Sequence, residues 1–321
     1  MHSQTLSRYL TALILATGAC SRDENASPTA EGAAAQELVL AGAPVLVGAG
    51  DIAVCGTSGD EATGVLVDSL LLADSAKGVE TVVATFGDNA YPSGSQGIVN
   101  DFPRCFSPSW GRPRIMRVIH TAPGNHDYDG GTGEPYFTYF GLRAGPAGKG
   151  YYSYDVGGWH IISLNSELYF EAGTPAQAKA QEDWLRADLA EHRTQCALAY
   201  FHRPYFTSGT YGSTREVRPL FEILFAGGVD LVLNGHEHDY ERFLPQTPDG
   251  VADSVNGMEQ IVVGTGGGRL RAFQFPLSRN SAAQIQGRFG VIKVALGKGE
   301  YTHAFVDTQG KIWDSGGRKC R

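Results

Sequence analysis

The sequence predicts an α/β fold on three observations. Apolar runs of strand length recur through the 321 residues, several of them rich in β-branched side chains. Stretches with apolar residues at helical spacing lie between many of them, as a sheet covered by helices requires. Several of the buried runs then end in a polar residue, often directly after glycine, and strand ends are where α/β sheets place their sites.

Composition narrows the class. With 42% hydrophobic residues the chain can bury a large core without staples, and one compact catalytic domain over residues 44–321 is expected. The 42 glycines, 14 tyrosines and 15 phenylalanines suit a loop-rich fold whose turns approach ligands closely. A net charge of −8, a pI of about 5.6 and the absence of a basic cluster argue against binding to a nucleic acid duplex.

At the N-terminus, Arg8 precedes a short apolar stretch from Tyr9 to Ala16 and then Thr17-Gly18-Ala19-Cys20, so residues 1–20 are expected to be an export signal. The stretch is too short to span a bilayer. Small residues before a cysteine fit a lipoprotein cleavage site that leaves Cys20 acylated, although Thr17 stands where leucine is usual. Membrane contact would then run only through Cys20, and simple secretion is the alternative. Residues 21–43 have no apolar period and are expected to be a flexible tether. Export makes disulfides plausible among Cys55, Cys105, Cys196 and Cys320, which allow three pairings. Cys55 with Cys105 is the preferred pair, since both lie in loops after candidate site segments, and Cys196 with Cys320 follows by elimination; buried free thiols are the alternative.

In chain order, Pro44 to Ala49 is an apolar strand closing in Gly50-Asp51. Glu61 to Ala73 carries Val65, Leu66, Leu70 and Leu71 at helical spacing. A strand from Thr81 to Phe86 closes in Gly87-Asp88-Asn89-Ala90-Tyr91, and residues 92–113, rich in Pro, Gly and Ser, are expected to be a long surface loop with at most a short helix. Met116 to Ala122 runs into Pro123-Gly124-Asn125-His126-Asp127. Tyr151 to Tyr154 and Trp159 to Asn165 flank Gly157-Gly158 as a hairpin. Pro175 to His192 is an amphipathic helix with Trp184, Leu185 and Leu189 on one face.

Cys196 to Phe201 is a strand that delivers His202, Val217 to Phe225 a helix, and Val229 to Leu233 a buried strand leading into Asn234-Gly235-His236-Glu237-His238. Alternation along an extended segment would point His236 and His238 the same way, as two metals in one site require. Ile261 to Gly267 is a strand with a glycine-rich turn. No helical period follows it, which excludes a dinucleotide fingerprint. Val291 to Ala295, Tyr301 to Val306 and Lys311 to Asp314 are expected to be closing antiparallel strands.

Five strands thus end in Asp51, in Asp88 with Tyr91, in Asn125 with His126, in His202, and in His236 with His238. Caps, turns and core histidines explain each one singly but not five metal-competent groups at successive strand ends.

The series GDIA, GDNAY, GNHD, FHRP and NGHEHDYER, across about residues 44 to 268, resembles the motif blocks of the calcineurin-like metallophosphoesterases, in particular their purple acid phosphatase-like branch. The resemblance implies two mixed β-sheets packed as a sandwich and flanked by helices, with a binuclear metal centre at the strand ends. Carried over, Asp51, Asp88, Tyr91 and His238 hold one metal, and Asp88, Asn125, His202 and His236 the other. Carboxylate, phenolate and imidazole suit Fe(III), and an amide oxygen with imidazoles suits a divalent ion such as Fe, Zn or Mn. His126 is then placed as the catalytic donor to phosphate or leaving group, and Asp127 and Asp239 as orienters of imidazoles. The stretch RPYFTSGTYG after His202 lacks the histidines that line the pocket in those enzymes, so Arg203, Tyr205 and Tyr211 are candidates for that place.

The implied function is an exported phosphatase that hydrolyses small-molecule phosphate monoesters by attack of a metal-activated hydroxide. The alternatives are a phosphodiesterase or nucleotidase on the same metals, and a surface lipoprotein that binds without catalysis.

Overall fold

The computed structural model describes residues 42–91, 101–128, 131–193 and 196–321. The expected export signal, Cys20 and the tether up to residue 41 lie outside the described residues, as do residues 92–100 of the expected loop.

Thirteen strands among the described residues form two sheets. The first contains β1 (Val45–Ala49), β2 (Thr81–Phe86), β3 (Ile119–Ala122), β11 (Gly290–Gly297), β12 (Glu300–Asp307) and β13 (Ile312–Lys319). Its order is β13-β12-β11-β1-β2-β3, with β1, β2 and β3 parallel and β11, β12 and β13 antiparallel. The second contains β4 (Tyr152–Val156), β5 (Trp159–Ser163), β6 (Cys196–Phe201), β7 (Leu231–Asn234), β8 (Tyr240–Phe243), β9 (Glu259–Val263) and β10 (Ser281–Ile285). Its order is β10-β8-β9-β7-β6-β5-β4, with β5, β6, β7 and β9 parallel.

Alternation along the strands builds the layers. Trp159 and Ile161 of β5, Leu198 and Tyr200 of β6, and Leu231 and Leu233 of β7 enter one core with Leu46, Val82 and Phe86 of the first sheet. Their neighbours Ile162, Ala199, Phe201 and Val232 face outward into a second core. Helices α3 (Pro175–Glu191) and α4 (Arg218–Ala226) cover that face with Leu185, Leu189, Phe221 and Leu224. Helix α1 (Gly59–Ala76) and the short α2 (Glu134–Phe140) pack on the outside of the first sheet. The result is the expected two-sheet sandwich between helical layers.

Four expectations need correction. Residues 102–110 are not a surface loop: Phe102–Phe106 and Ser107–Ser109 are helical turns that bury Phe102, Phe106 and Trp110. Their aromatic payload outweighs the Pro-Ser composition. Pro113–Met116 is a helical turn, so the strand expected from Met116 begins at Ile119. In α1, Leu71 is buried and Leu66 and Leu70 pack against the core as expected, but Val65 is exposed and Val67 is buried instead. Finally, β8 and β10 were not expected. β8 is the tail of the NGHEHDYER block, and its outer role is structural: Tyr240 Oη and Arg242 Nε each bond Asp314 of β13, at 2.8 and 2.7 Å, linking the two sheets.

Both expected disulfides are present. Cys55–Cys105 pins the aromatic turn to the loop after β1 with Cα atoms 4.9 Å apart, and Cys196–Cys320 joins the start of β6 to the residue after β13 at 5.7 Å.

Candidate metal centre

The parallel strands of both sheets end at the same edge of the sandwich, and there the backbones join. Gly50 N donates to Val263 O at 2.8 Å and Gly266 N to Gly50 O at 2.9 Å, so the end of β1 is tied to the end of β9. Residues leaving β1, β2, β3, β6 and β7 therefore meet. Two glycines make the crowding possible. A Cβ on Gly124 would lie 2.3 Å from Asp88 Oδ1, and one on Gly87, at φ +84°, would lie 2.6 Å from the His202 ring.

All eight predicted site residues come together, seven of them in two groups. In the first, Tyr91 Oη lies 2.8 Å from Asp51 Oδ1 and 3.1 Å from His238 Nε2, and His238 Nε2 lies 3.3 Å from Asp51 Oδ1. In the second, His202 Nε2 lies 3.2 Å from Asn125 Oδ1, 3.1 Å from His236 Nδ1 and 3.3 Å from Asp88 Oδ1. Asp51, Asp88 and His202 also offer ligand atoms within 4.8 Å of one another, which connects the groups. His126 stands at the wall, its Nε2 4.0 Å from Asp88 Oδ2 and its ring 4.6 Å from that of Tyr91. Its backbone N–H donates to Asp88 Oδ1 at 2.9 Å. His236 and His238 do face one site, but through a turn with His236 at φ +72° rather than by strand alternation.

The donor set fits cations. Ligands about 2.1 Å from an octahedral ion sit about 3.0 Å from each other, the spacing found within both groups. The imidazoles are also oriented for it: Nδ1 of His202 lies 2.9 Å from Phe86 O and Nδ1 of His238 lies 2.8 Å from Arg269 O. Donation to those carbonyls leaves the Nε2 lone pairs aimed into the groups.

Electrostatics point the same way. Asp51 and Asp88 are buried, and among the described residues no lysine or arginine pairs with them. In the protein alone, burial disfavours charge on His202, but Asp88 and Asp51 overcome this and raise its pKa to about 10. Burial likewise pushes Asp88 up, yet His202 and His126 hold it well below the usual carboxylate range. Burial, then the charges of Asp51 and Asp88, drive the Tyr91 phenol far above its ordinary value. The pocket is thus a negative site in want of positive charge, and the phenol ionises there only beside a strong cation.

Asp127 and Asp239 do not orient imidazoles. Asp127 Oδ2 accepts from Gly124 N at 2.8 Å and Asn89 Nδ2 at 2.9 Å, locking the turn after β3 to the turn after β2; burial and Asp88 raise its pKa to about 7. Asp239 is buried with no partner on either carboxylate oxygen among the described residues. Backbone carbonyls do the orienting instead. Of the expected pocket residues, Tyr205 is packed in the outer core and bonds Pro248 O, whereas Arg203 and Tyr211 line a cavity of about 510 Å³ above the donors.

Three contributors escaped the sequence reading. Glu167 and Phe170 follow β5 and hold Arg203: its Nε donates to both Glu167 oxygens and its guanidinium lies 4.2 Å over the Phe170 ring. Glu237, between the two histidines, accepts from Tyr211 N at 2.7 Å and Gly212 N at 2.9 Å and so fixes the cavity wall. The signal for Glu167 was available, because β5 is another buried strand followed by an acid. A groove of about 640 Å³ between α3 and α4 is larger than the cavity, but its lining of aliphatic, arginine and glutamate residues offers no comparable donor set.

Carboxylate, phenol, amide and imidazole donors gathered at the ends of parallel strands in a sandwich define a metal-dependent hydrolase fold and site. The family model for calcineurin-like phosphoesterases matches residues 47–240, more than half of the chain, and the chain belongs to that family. Membership implies a binuclear metal centre. Purple acid phosphatase 18 of Arabidopsis thaliana is 33% identical over 125 residues, covering 37% of this chain and 27% of the relative. Human acid phosphatase type 7 is 26% identical over 279 residues, covering 75% of this chain and 61% of the relative. Purple acid phosphatase PPD1 from yellow lupin shares the fold with a TM-score of 0.69 at 20% identity, over 86% of this chain and 53% of that one. The chain thus matches only part of the length of each of these relatives. Among the described residues no helix is long and apolar enough to cross a membrane.

Proposed function

We propose that the protein is an exported phosphatase that hydrolyses phosphate monoesters, with residues 44–321 as its catalytic domain and residues 1–43 as leader and tether. The observation that carries this reading is the division of the donors into two groups with Asp88 between them. Asp51, Tyr91 and His238 would hold one cation, Asn125, His202 and His236 the other, and Asp88 both. Fe(III) suits the phenol side and a divalent Fe, Zn or Mn the amide side. When bound, such a pair supplies Lewis acidity toward phosphoryl oxygen and acidifies water.

The chain's own residues do the rest. Phe86 O and Arg269 O keep the two Nε2 atoms turned inward, at 2.9 and 2.8 Å from the opposite ring nitrogens. His126, with its side chain 35% exposed at the cavity wall, donates to the phosphate or to the departing oxygen. Its backbone bond to Asp88 keeps that donor in register with the carboxylate. The deciding experiment measures metal content together with rates on aryl monoester, diester and nucleotide substrates across pH. Two metals per chain with monoester preference supports the reading. Diester or nucleotide selectivity replaces it with the diesterase or nucleotidase alternative, and metal-free, inactive protein leaves only a binding module.

A further inference from the structure

The cleft over the strand ends is short of positive charge. Glu167, Glu171 and Glu216 contribute to its lining, and Arg203 is the one arginine or lysine there among the described residues. The stretches 92–100 and 129–130, which follow Tyr91 and Tyr128 in the chain, contain no arginine or lysine either.

Arg203 is fixed in place. Its Nε donates to Glu167 Oε1 and Oε2 at 3.1 and 3.0 Å, Phe170 supports the guanidinium plane at 4.2 Å, and the side chain is 18% exposed. This arrangement aims Nη1 to within 3.4 Å of His236 Nε2. Once Nδ1 of His236, the atom that faces His202, carries a cation, the ring proton sits on Nε2. Two N–H donors then converge on one corner of the cavity. An anionic oxygen satisfies both, and the same cavity is lined by Asn125 and His126.

We infer that Arg203 binds the substrate's phosphoryl group in place of the histidines missing from residues 203–212, and that the cleft takes esters with a single phosphate on a neutral or cationic alcohol. This rests on the phosphatase reading of the site. Arginine in a fork held by a carboxylate is suited to phosphate oxygens. Apart from Arg271 at the rim, 4.7 Å over the Tyr211 ring, a second anionic group on the substrate would find no arginine or lysine but Arg203 among the described lining residues and would face Glu171 or Glu216, both exposed.

The test uses metal-loaded protein and two readouts. The first is calorimetric binding of inorganic phosphate to wild type, to Arg203→Lys, and to Arg203→Met combined with Glu167→Gln so that no buried carboxylate is stranded. Phosphate affinity is expected to fall about ten- to a hundredfold in the double variant and less in Arg203→Lys, with metal content unchanged. The second is kcat/KM on phosphocholine, an aryl monoester, and nucleoside di- and triphosphates. The single-phosphate esters are expected to lead the polyphosphates by about tenfold or more, and Glu171→Lys with Glu216→Lys should narrow that gap. Unchanged phosphate affinity in the double variant, or equal rates on polyphosphates, overturns the inference while the phosphatase reading stands. Phosphate binding that depends on Arg203 without hydrolysis of any ester supports the anion site and overturns the phosphatase reading instead.

Discussion

At the floor of the cleft side chains are held by the backbone, and at its rim they are held by other side chains. Asp51, Asp88 and His236 on the floor have φ of 60°, 51° and 72°, and only Asn280 shares that left-handed conformation among the other described non-glycine residues. Each such residue stores on the order of 1 kcal/mol or more of strain, which the tied strand ends must hold. Their partners are fixed as rigidly: His236 N donates to Asp51 Oδ2 at 2.7 Å, and the other imidazoles are anchored on carbonyls. At the rim, Arg203 leans on Glu167 and Phe170, and Tyr211 packs 4.9 Å from the His236 ring with Arg271 4.7 Å over its own. On the proposed function, the difference assigns the chemistry to the floor and the choice of substrate to the rim.

Substitutions should separate the two accordingly. The largest effect is expected from Asp88→Asn on the floor, which removes the charge shared by both donor groups. Metal analysis should find both ions lost, and activity should fall by about a thousandfold or more. Loss of one ion alone would break the idea of a shared floor. His126→Ala comes next: turnover should drop about a hundredfold with metal content retained, since His126 faces the cavity beside the donor groups. Stoichiometric metal loss would move His126 into the floor.

A smaller effect concerns protons. The folded pKa of His202, about 10 in the protein alone, lies above its ordinary 6.5. Its stabilising contribution is therefore fully present below pH 6.5 and is lost as pH rises through 10. The thermal midpoint of metal-free protein should fall across that window, and that of the loaded protein should fall less, because cations replace the proton. Equal slopes in the two forms would contradict the assignment. The smallest effect belongs to the rim. Glu237→Ala leaves Tyr211 N and Gly212 N without their acceptor and should raise KM severalfold with kcat nearly kept, whereas Glu237→Gln preserves an oxygen there and should behave as wild type.

The same contrast governs what the sequence reveals. The floor was legible because buried parallel strands have a clear apolar signature and several candidate ligands follow one within two residues, as Asp51, Asp88 and His202 do. The rim was legible only in part: Arg203 and Tyr211 were named as pocket candidates and line the cavity, whereas Glu167 and Phe170, which hold Arg203, lie in a connection without a period. Their partnership with one another is long-range. Composition misled at residues 102–110, where proline and serine flank aromatics that fill the core. Local proximity misled at Asp127 and Asp239, which neighbour histidines in the chain but turn to other tasks. The tail of NGHEHDYER had no role assigned from the sequence, and in the structure Tyr240 and Arg242 bind Asp314 across the sheets.

The central claim is that Tyr91 closes the first donor group around a strongly polarising ion. In the protein alone its buried phenol donates to Asp51 Oδ1 at 2.8 Å and resists ionisation. We propose Fe(III) as the ion that converts it to phenolate, since a trivalent cation polarises the phenol most strongly, and phenolate on Fe(III) gives a visible charge-transfer band in the enzymes this chain resembles. The most direct measurement is the visible spectrum of iron-loaded wild type beside that of Tyr91→Phe, with circular dichroism as the control for folding. A pink to purple band in wild type that disappears in Tyr91→Phe, while the fold stays native, is the predicted result. An iron-loaded wild type without colour, or an unchanged band in Tyr91→Phe, would contradict the claim.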